Sequence, residues 1–398
     1  MTASLDTARQ LAARFAVEAS ARDRERRFPH AELAELKASG LLGLLVPARH
    51  GGSGASLGDF IRVIAALAEG DSNIAQMFSI HCVGVELLDL MRTSDEAKAP
   101  LYRKALDGLM FANGYSERGT RTVFEMKTRI EPDGRGNWLL SGRKSYCTGS
   151  LGADVLYVSG LVGDPAGTGV PANDLGAVRM AYLDPATPGV TIHDDWTGMG
   201  QRTTSSGTID LEQAPVAADM VFSTEGLDGQ DNLIGAFLQS PFAAVCLGIA
   251  KAALAAAGPF VRERARPWAQ SGVDRAAEDP YVLQRFGELA IAISTAEGAV
   301  ARMADALDEA NERRDLASRS AAGVAVAIAR AVTTDVSLKV GQGIFQVCGA
   351  SATTIEHNLD RFWRDARTLT LHDPVDYKLK LVGDWALNST PPPATGYS

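Results

Sequence analysis

The chain lacks the cysteine patterns of disulfide-bonded and zinc-binding proteins. Its 398 residues include four cysteines, Cys82, Cys147, Cys246 and Cys348, which stand far apart. No CxxC pair or Cys/His cluster occurs, so neither a disulfide framework nor a metal site is expected. We predict that most of these side chains are small buried apolar residues. Cys147 has no evident basic partner in the sequence and is not expected to act as a nucleophile.

A concentration of positive charge is also lacking. The net charge is -9 at pH 7, and the lysines and arginines are scattered rather than gathered in a stripe. Nucleic acid is therefore not an expected partner. The opening segment MTASLDTARQLAARFAVEAS has the pattern of an amphipathic helix and not of a secretory signal. We also expect no segment long enough to span a bilayer, and hence no membrane and a cytoplasmic location.

Apolar residues are plentiful. They make up 46% of the chain, against 22% charged residues, which is enough to form a large interior. Single cores stop growing at roughly 250–300 residues, so a chain of this length favours two or three domains that share interfaces.

Residues 1–108 are predicted to form a helical domain. Their apolar positions recur at helical spacing, as in AELAELKASGLLGLL and LGDFIRVIAALAEG. The turn-forming run PARHGGSGAS separates these two segments. Asp71 and Ser72 provide side chains that can cap the helix that follows them.

Residues 109–225 are predicted to form an antiparallel β domain with a barrel-like or sandwich arrangement. Short alternating runs such as VFEMKTRI, NWLLSGRKSY and GTIDLEQ are separated by turn formers. The segment GDPAGTGVPANDLG, at 163–176, is rich in Gly and Pro and is predicted to be an exposed loop.

Residues 226–398 are predicted to form a helical bundle with an extended tail. Three long segments keep a continuous apolar stripe, from SPFAAVCLGIA, PYVLQRFGELA and SRSAAGVAVAI onward. The ending NSTPPPATGYS cannot continue a helix. The pattern as a whole indicates an α+β protein in which helices precede and follow a β domain.

Four segments of this chain resemble the acyl-CoA dehydrogenase superfamily. They are FANGYSERG at 111–119, SGRKSYCTG at 141–149, DDWTGMGQRTTSSG at 194–207 and RDAR at 364–367. The order of helices, β domain and bundle is similar as well, and the resemblance covers nearly the whole chain. It implies an acyl-CoA dehydrogenase-like fold with an N-terminal helical domain, a central β domain and a C-terminal four-helix bundle.

Within that superfamily, the chain is most similar to the flavin-dependent monooxygenases of the dibenzothiophene and sulfur-acquisition type. Asp373, in TLHDPV, stands where the dehydrogenases place a glutamate base, and it is one methylene shorter. Because proton abstraction is sensitive to such distances, dehydrogenase chemistry is disfavoured. Leu369 replaces a histidine found in the dibenzothiophene enzyme.

The resemblance implies a set of site residues. The predicted catalytic residues are His81, His372, Asn113 and Thr148; the predicted cofactor-binding residues are Tyr115, Ser116, Tyr146, Thr148, Arg264 and Asp373; Trp196 and Leu369 are predicted to line the substrate pocket. Histidine suits proton transfer near neutral pH. Ordinary roles remain open at this stage. His81 can be a core histidine, Asp373 and Pro374 can begin a helix, and each aromatic residue can belong to the core.

The implied cofactor is reduced FMN, supplied by diffusion from a separate flavin reductase. Relatives that bind FAD use a Gly-Gly turn and an Arg-x-x-Phe-Gly motif, and these are CGASA and RARPWAQSG in this chain. FMN is therefore favoured over FAD, with Arg264 or Arg266 at its phosphate. In this interpretation the enzyme forms a flavin C4a-hydroperoxide with O2 and oxygenates a small hydrophobic substrate. A homotetramer is implied, in which a neighbouring chain completes each flavin site.

Two other functions are compatible with the sequence. One is an FAD-dependent acyl-CoA dehydrogenase that uses Asp373 as its base. The other is a non-catalytic flavin-binding protein that kept the fold for its interfaces. The substrate is not identified, and S-oxygenation, N-hydroxylation and aromatic hydroxylation remain open, in that order of preference.

Overall fold

The computed structural model describes residues 2–91, 93–120, 125–162, 177–225, 227 and 232–395. The predicted loop at 163–176 lies outside these ranges. In the described part of the chain, helices occupy both ends and strands occupy the middle. The helices are α1 Thr2–Glu25, α2 His30–Ala38, α3 Leu57–Gly70, α4 Ser72–Leu90, α5 Asp95–Leu106, α6 Ile234–Glu263, α7 Pro280–Arg313, α8 Leu316–Cys348, α9 Asp360–Leu369 and α10 Val375–Asn388.

Side-chain caps begin several of the amino-terminal helices. Asp71 accepts hydrogen bonds from the backbone N–H groups of Asn73 and Ile74 and so starts α4, as the sequence predicts. Ser56 caps α3 in the same way. Helix α4 is buried along nearly its whole length, between the other helices and the sheet. This buried position brings α4 to the junction of all three parts of the chain.

The described strands form one sheet. They are β1 Phe111–Gly114, β2 Arg129–Pro132, β3 Trp138–Cys147, β4 Val155–Leu161, β5 Val178–Leu183, β6 Val190–Ile192, β7 Gly207–Val216 and β8 Val221–Ser223. The sheet is mixed, whereas the sequence predicts an antiparallel one, since β1 and β2 each run parallel to β4. In the chain, β3 follows β2 and runs antiparallel to it before β4 begins. The strands β2 and β4, which are neighbours in the sheet, therefore point the same way.

The carboxy-terminal helices form the predicted bundle around α6 and α8. These two helices are long and apolar enough to cross a membrane by length and composition, so the expectation that no segment reaches that length is wrong. Two thirds of the most apolar stretch of each helix is buried inside the protein. Their apolar character is therefore explained by packing within the bundle.

The amino-terminal helices pack closely on this bundle. A Cβ atom added at Gly248 of α6 would lie 2.4 Å from the Cβ of Ala68 and 2.8 Å from the carbonyl oxygen of Ala65, both in α3. Only glycine allows the two helices to come this close. With α3 packed on α6 in this way, the amino end of α4 lies beside the middle of α9.

Candidate active site

The loop between β6 and β7 is held against α9. The backbone N–H of Gln201 donates to Oδ1 of Asp365 at 2.6 Å, and that of Gly200 donates to Oγ1 of Thr368 at 3.1 Å. A Cβ atom at Gly200 would lie 2.0 Å from the carbonyl oxygen of Arg364. The RDAR motif thus fixes the loop that carries Trp196.

Asp365 connects this loop to α4. Its Oδ2 accepts hydrogen bonds from Ser72 Oγ at 2.8 Å and from Asn73 Nδ2 at 3.2 Å. Burial raises the pKa of Asp365 to about 6, and the charge of Asp23 adds to that rise, while the bonds from Gln201 and Ser72 oppose it. Asp365 is therefore the residue at which the helical domain, the β domain and the bundle meet.

Arg364 completes the junction through α1. Its Nη1 and Nη2 lie 3.0 and 2.6 Å from the two carboxylate oxygens of Asp23, and Nη1 also donates to the carbonyl oxygen of Met199 at 3.1 Å. Burial disfavours the charged form of Asp23, but the hydrogen bonds from Arg364 and Asn358 outweigh burial and lower its pKa. A planar guanidinium suits this two-oxygen contact.

An aromatic surface lies where β3 meets this loop. The rings of Tyr146 and Trp196 stand edge to face, with centroids 6.3 Å apart, and the guanidinium of Arg118 lies 4.7 Å from the Tyr146 ring centroid. Tyr146 has φ +60° at a bulge in β3 and is 49% exposed. A left-handed tyrosine is an unusual conformation that is typical of functional sites.

A chain of hydroxyl groups lies behind this surface. Thr148 Oγ1 and Ser206 Oγ are 2.8 Å apart, Ser206 Oγ and Thr204 Oγ1 are 2.7 Å apart, and Thr204 donates to the carbonyl oxygen of Gln201. All three hydroxyl-bearing side chains are buried. Because a hydroxyl can make more than one hydrogen bond, Thr148 keeps capacity for another partner.

Three of the predicted site residues lie in β1 and in the segment that follows it. Asn113 Oδ1 is buried and has no hydrogen-bond partner among the described residues, while Tyr115 and Ser116 are exposed. The next residue, Glu117, is held by the buried Lys144 of β3 through a 2.8 Å ion pair. Burial of this pair anchors the segment to the strand that carries Tyr146.

His372 lies in the turn between α9 and α10. Its side chain is 44% exposed, and its ring lies against Phe242 of α6 with centroids 4.1 Å apart. Its Nδ1 is 3.6 Å from Oδ1 of Asp373, which is too long for a good hydrogen bond but close enough for electrostatic attraction. One face of the imidazole is thus supported by protein, and the ring remains accessible.

Asp373 is buried and paired with two cations. Arg330 Nη2 lies 2.6 Å from Oδ1, and Lys378 Nζ lies 2.9 Å from Oδ2. Burial opposes ionisation, but His372, Arg330 and Lys378 outweigh it and hold the pKa of Asp373 well below its usual range. A carboxylate held in this state is a poor proton acceptor.

One expectation for Asp373 needs correction, and another stays a prediction. Helix α10 begins after Pro374 without a side-chain cap, so Asp373 does not cap it. The ion pairs with Arg330 and Lys378 engage both carboxylate oxygens, and a direct contact of Asp373 with the cofactor stays a prediction. The Asp373 carboxylate connects α8 and α10 through these two ion pairs.

His81 is placed away from any accessible surface. It is fully buried: Nε2 lies 2.8 Å from the carbonyl oxygen of Leu42, and Nδ1 accepts the N–H of Phe111 at 3.0 Å. Burial lowers its pKa to about 4, so the ring is neutral. Both ring nitrogens are hydrogen-bonded to backbone groups, and these bonds connect α4 to β1 and to the segment around Leu42. The contacts therefore favour the core-histidine interpretation over the catalytic one.

Arg264 and Leu369 also occupy unexpected surroundings. Arg264 ends α6, and the 22 positions that separate it from Phe242 correspond to roughly 30 Å of helix. It cannot reach a ligand beside His372 in the same chain. Leu369 is buried in the main core at the end of α9, one turn before His372.

The sequence pattern missed the residues that surround Asp373. Phe242, Arg330, Gln239 and Lys378 come from three different helices and meet only in the folded chain. One signal was present, because Arg330 is a lone cation within the apolar run GVAVAIARAV. A buried arginine requires an acidic partner, so that run predicts an ion pair without identifying it.

Comparison with known proteins places this site in a family. Residues 2–108 match the acyl-CoA dehydrogenase N-terminal domain, and residues 240–377 match the acyl-CoA dehydrogenase C-terminal domain. Dibenzothiophene monooxygenase from Rhodococcus erythropolis is 34% identical over 97% of this chain and 93% of its own length.

Solved structures agree with the sequence comparison. The FMN-bound TdsC from Paenibacillus sp. A11-2 superposes with a TM-score of 0.92 at 32% identity, covering 99% of this chain and 100% of that one. Methanesulfinate monooxygenase MsuC from Pseudomonas fluorescens gives a TM-score of 0.90 at 33% identity, with 99% of each chain covered. The predicted superfamily and fold are confirmed. The chain belongs to the acyl-CoA dehydrogenase superfamily, within its flavin-dependent monooxygenase branch.

Proposed function

We propose that this protein is the oxygenase of a two-component system, which receives reduced FMN from a separate reductase and inserts one oxygen atom of O2 into a small hydrophobic substrate. A sulfur centre is the preferred target. The relatives are named for dibenzothiophene and methanesulfinate, which differ greatly in size and charge but are both sulfur compounds.

The observation that carries this proposal is the contrast between His372 and Asp373. The carboxylate is buried between Arg330 and Lys378, whereas the imidazole is exposed beside it. A dehydrogenase needs an available base at this place. Here the available group is a histidine, whose exposed ring can act on a bound reactant as proton donor or acceptor.

The residues of the β domain fit a flavin. Asn113 has a buried acceptor without a donor, and Thr148 keeps hydrogen-bonding capacity, so both can bind the polar edge of an isoalloxazine. The exposed Tyr146 ring and the Tyr115–Ser116 segment provide contact surface beside them. When bound, reduced FMN supplies the electrons and the oxygen activation that no side chain can provide.

The substrate is proposed to bind between the aromatic surface and the bundle. Trp196 and Phe242 give this region apolar walls, and Leu369 adds to the apolar interior behind His372. Apolar walls exclude water and select hydrophobic compounds. Leu369 replaces a histidine of the dibenzothiophene enzyme, so we expect a different preference among sulfur compounds.

A homotetramer is proposed because single chains leave apolar helix faces uncovered. Exposed apolar side chains are Tyr281, Leu283 and Ile291 on α7, and Tyr377, Leu379 and Leu387 on α10. Arg264, roughly 30 Å along α6 from the His372 site of its own chain, would then serve the flavin phosphate of a neighbouring chain. The reductase needs no docking surface if reduced FMN diffuses between the enzymes, and we expect both in the cytoplasm.

The test is oxygen incorporation in a reconstituted system. The purified protein is mixed with FMN, NADH, a flavin reductase and ¹⁸O2, together with dibenzothiophene or methanesulfinate. We expect one ¹⁸O atom in the product, detected by mass spectrometry. His372→Gln should lower product formation by roughly a hundredfold while FMN binding changes little.

The competing dehydrogenase makes the opposite prediction. Such an enzyme would retain FAD through purification, and acyl-CoA would bleach its absorbance without O2 or reductase. Bleaching of this kind, together with the absence of ¹⁸O product from every substrate, would overturn the proposal. Flavin binding with neither activity would favour the non-catalytic alternative.

A further inference from the structure

Arg330 lies at the centre of the side chains that support His372. It is 2% exposed and projects from α8 into the space between α6 and the α9–α10 turn. One contact is the 2.6 Å ion pair with Asp373. The other is with Phe242, whose ring centroid lies 4.9 Å from the guanidinium carbon.

These two partners are also the two groups that His372 contacts on this side. The imidazole lies on Phe242 with centroids 4.1 Å apart, and its Nδ1 is 3.6 Å from Asp373. The two groups that support the imidazole are therefore both in contact with the Arg330 guanidinium. Burial of Arg330 among packed helices makes this support rigid.

The remaining donors around Asp373 explain why the arrangement is stable. Lys378 Nζ lies 2.9 Å from Oδ2, and the amide nitrogen of Gln239, in its donating orientation, lies 3.2 and 3.3 Å from the two oxygens. The carboxylate therefore has donors on both oxygens and stays ionised. An ionised Asp373 attracts the Nδ1–H form of His372 and leaves Nε2 free.

We propose that Arg330 is a positioning residue for His372, which it holds indirectly by fixing the ring of Phe242 and the carboxylate of Asp373. This inference rests on the proposed function only for its kinetic consequence. Through these two groups, Arg330 restricts the imidazole to one orientation. Displacement of a catalytic group by about 1 Å can reduce a rate by roughly a hundredfold.

Lys378 provides a matched comparison. Lys378 pairs with Oδ2 of the same carboxylate, whereas Arg330 pairs with Oδ1 and also lies over the Phe242 ring, so loss of Lys378 should disturb the support of the imidazole less. We expect Arg330→Met to lower kcat for product formation by roughly tenfold to a hundredfold, with the KM for substrate within about twofold. Lys378→Met should cause a smaller loss, and Arg330→Lys should restore only part of the activity, because lysine lacks a planar face.

A second measurement is independent of flavin and substrate. Diethylpyrocarbonate modifies accessible imidazoles, and mass spectrometry of peptides gives the rate at each histidine. In Arg330→Met we expect modification of His372 to become several-fold faster, with His30 and His193 unchanged as internal references. A crystal structure of the variant should show the imidazole displaced from Phe242.

Phe242→Leu keeps the experiment decisive if Arg330→Met fails to fold, because it removes the bridging ring and leaves every charge paired. Unchanged modification of His372 together with unchanged kcat, in whichever of these variants folds, overturns the inference. Failure of the wild-type protein to oxygenate any substrate contradicts the proposed function instead, and the modification rates would still test the positioning role.

Discussion

At the scale of single residues, chemically similar side chains perform different tasks because burial differs. His81 and His372 are both plausible proton carriers from sequence, yet one has both nitrogens bonded to backbone and the other is accessible. Asp373 and Asp365 are both buried, but only Asp373 is paired with two cations. Their pKa values accordingly move in opposite directions.

We predict that His81→Leu damages stability and spares chemistry. The substitution leaves the N–H of Phe111 and the carbonyl of Leu42 buried without partners, at a cost of about 2–5 kcal/mol. Thermal unfolding should occur at a clearly lower temperature, while product formed per folded enzyme should stay near the wild-type value. His372→Gln is the control and should show the reverse pattern. A large loss of kcat in folded His81→Leu would restore the catalytic interpretation.

The lowered pKa of His81 predicts how the stability of the protein depends on pH. This pKa is lowered from 6.5 to about 4 in the folded protein because burial penalises the charged ring. The unfolded chain therefore binds a proton more readily, and the contribution of His81 is fully present above pH 6.5 and lost as the pH falls toward 4. Unfolding midpoints in urea between pH 7 and pH 4 should decline less steeply in His81→Asn than in the wild type. Parallel curves would contradict this.

Tyr146→Gly separates backbone strain from flavin contact. Glycine adopts φ +60° freely, which should offset part of the loss of the ring contact with Trp196 and leave the unfolding temperature nearly unchanged. The affinity for FMN, measured by quenching of flavin fluorescence, should fall by roughly tenfold. Arg314→Gly, another left-handed position, at the end of α7, is the control and should leave FMN affinity unchanged.

At the scale of elements, α9 determines where the site forms. This helix holds the β6–β7 loop through Asp365 and Thr368, and the turn that follows it carries His372. The RDAR motif could be recognised from sequence as a family signature. Its physical task could not, because Gln201, Ser72 and Asp23 reach it from distant parts of the chain.

We predict that Asp365→Ala releases this loop. Removal of the carboxylate leaves the donors of Gln201, Ser72 and Asn73 without their acceptor, which should destabilise the protein by about 2–3 kcal/mol. Trp196 should become more exposed, and its emission, taken as the difference from a Trp196→Phe background, should shift to longer wavelength.

Asp360→Ala is the matched control for that experiment, since it removes a largely exposed carboxylate from the same helix. We expect a change in stability within about 1 kcal/mol and no shift in Trp196 emission. Equal effects of the two substitutions would mean that Asp365 does not hold the loop.

At the scale of the whole molecule, the length of α6 separates Arg264, a predicted site residue, from Phe242, which packs against His372. Arg264 and Phe242 are roughly 30 Å apart along one helix, so a single chain cannot bring both to one flavin. The proposed tetramer, in which a neighbouring chain completes each site, accounts for this separation.

Mixed assemblies test the sharing of sites. Arg264→Met and His372→Gln should each be nearly inactive alone. If each site combines His372 of one chain with Arg264 of another, refolding the two variants together should restore about a quarter of the sites. Light scattering should give a tetramer for each variant and for the mixture. No recovery in properly assembled mixtures would place both residues in one chain's site or remove Arg264 from it.

The order of helices, strands and bundle could be predicted from the residue pattern, because hydrophobic period and turn residues are local properties. The family could be predicted as well, because its signatures are contiguous segments that comparison confirmed. Three facts became known from the folded chain: His81 is buried, the ionised Asp373 is paired with Arg330 and Lys378, and Arg264 lies far from His372. Burial and charge pairing depend on residues far apart in the chain, so no local pattern records them.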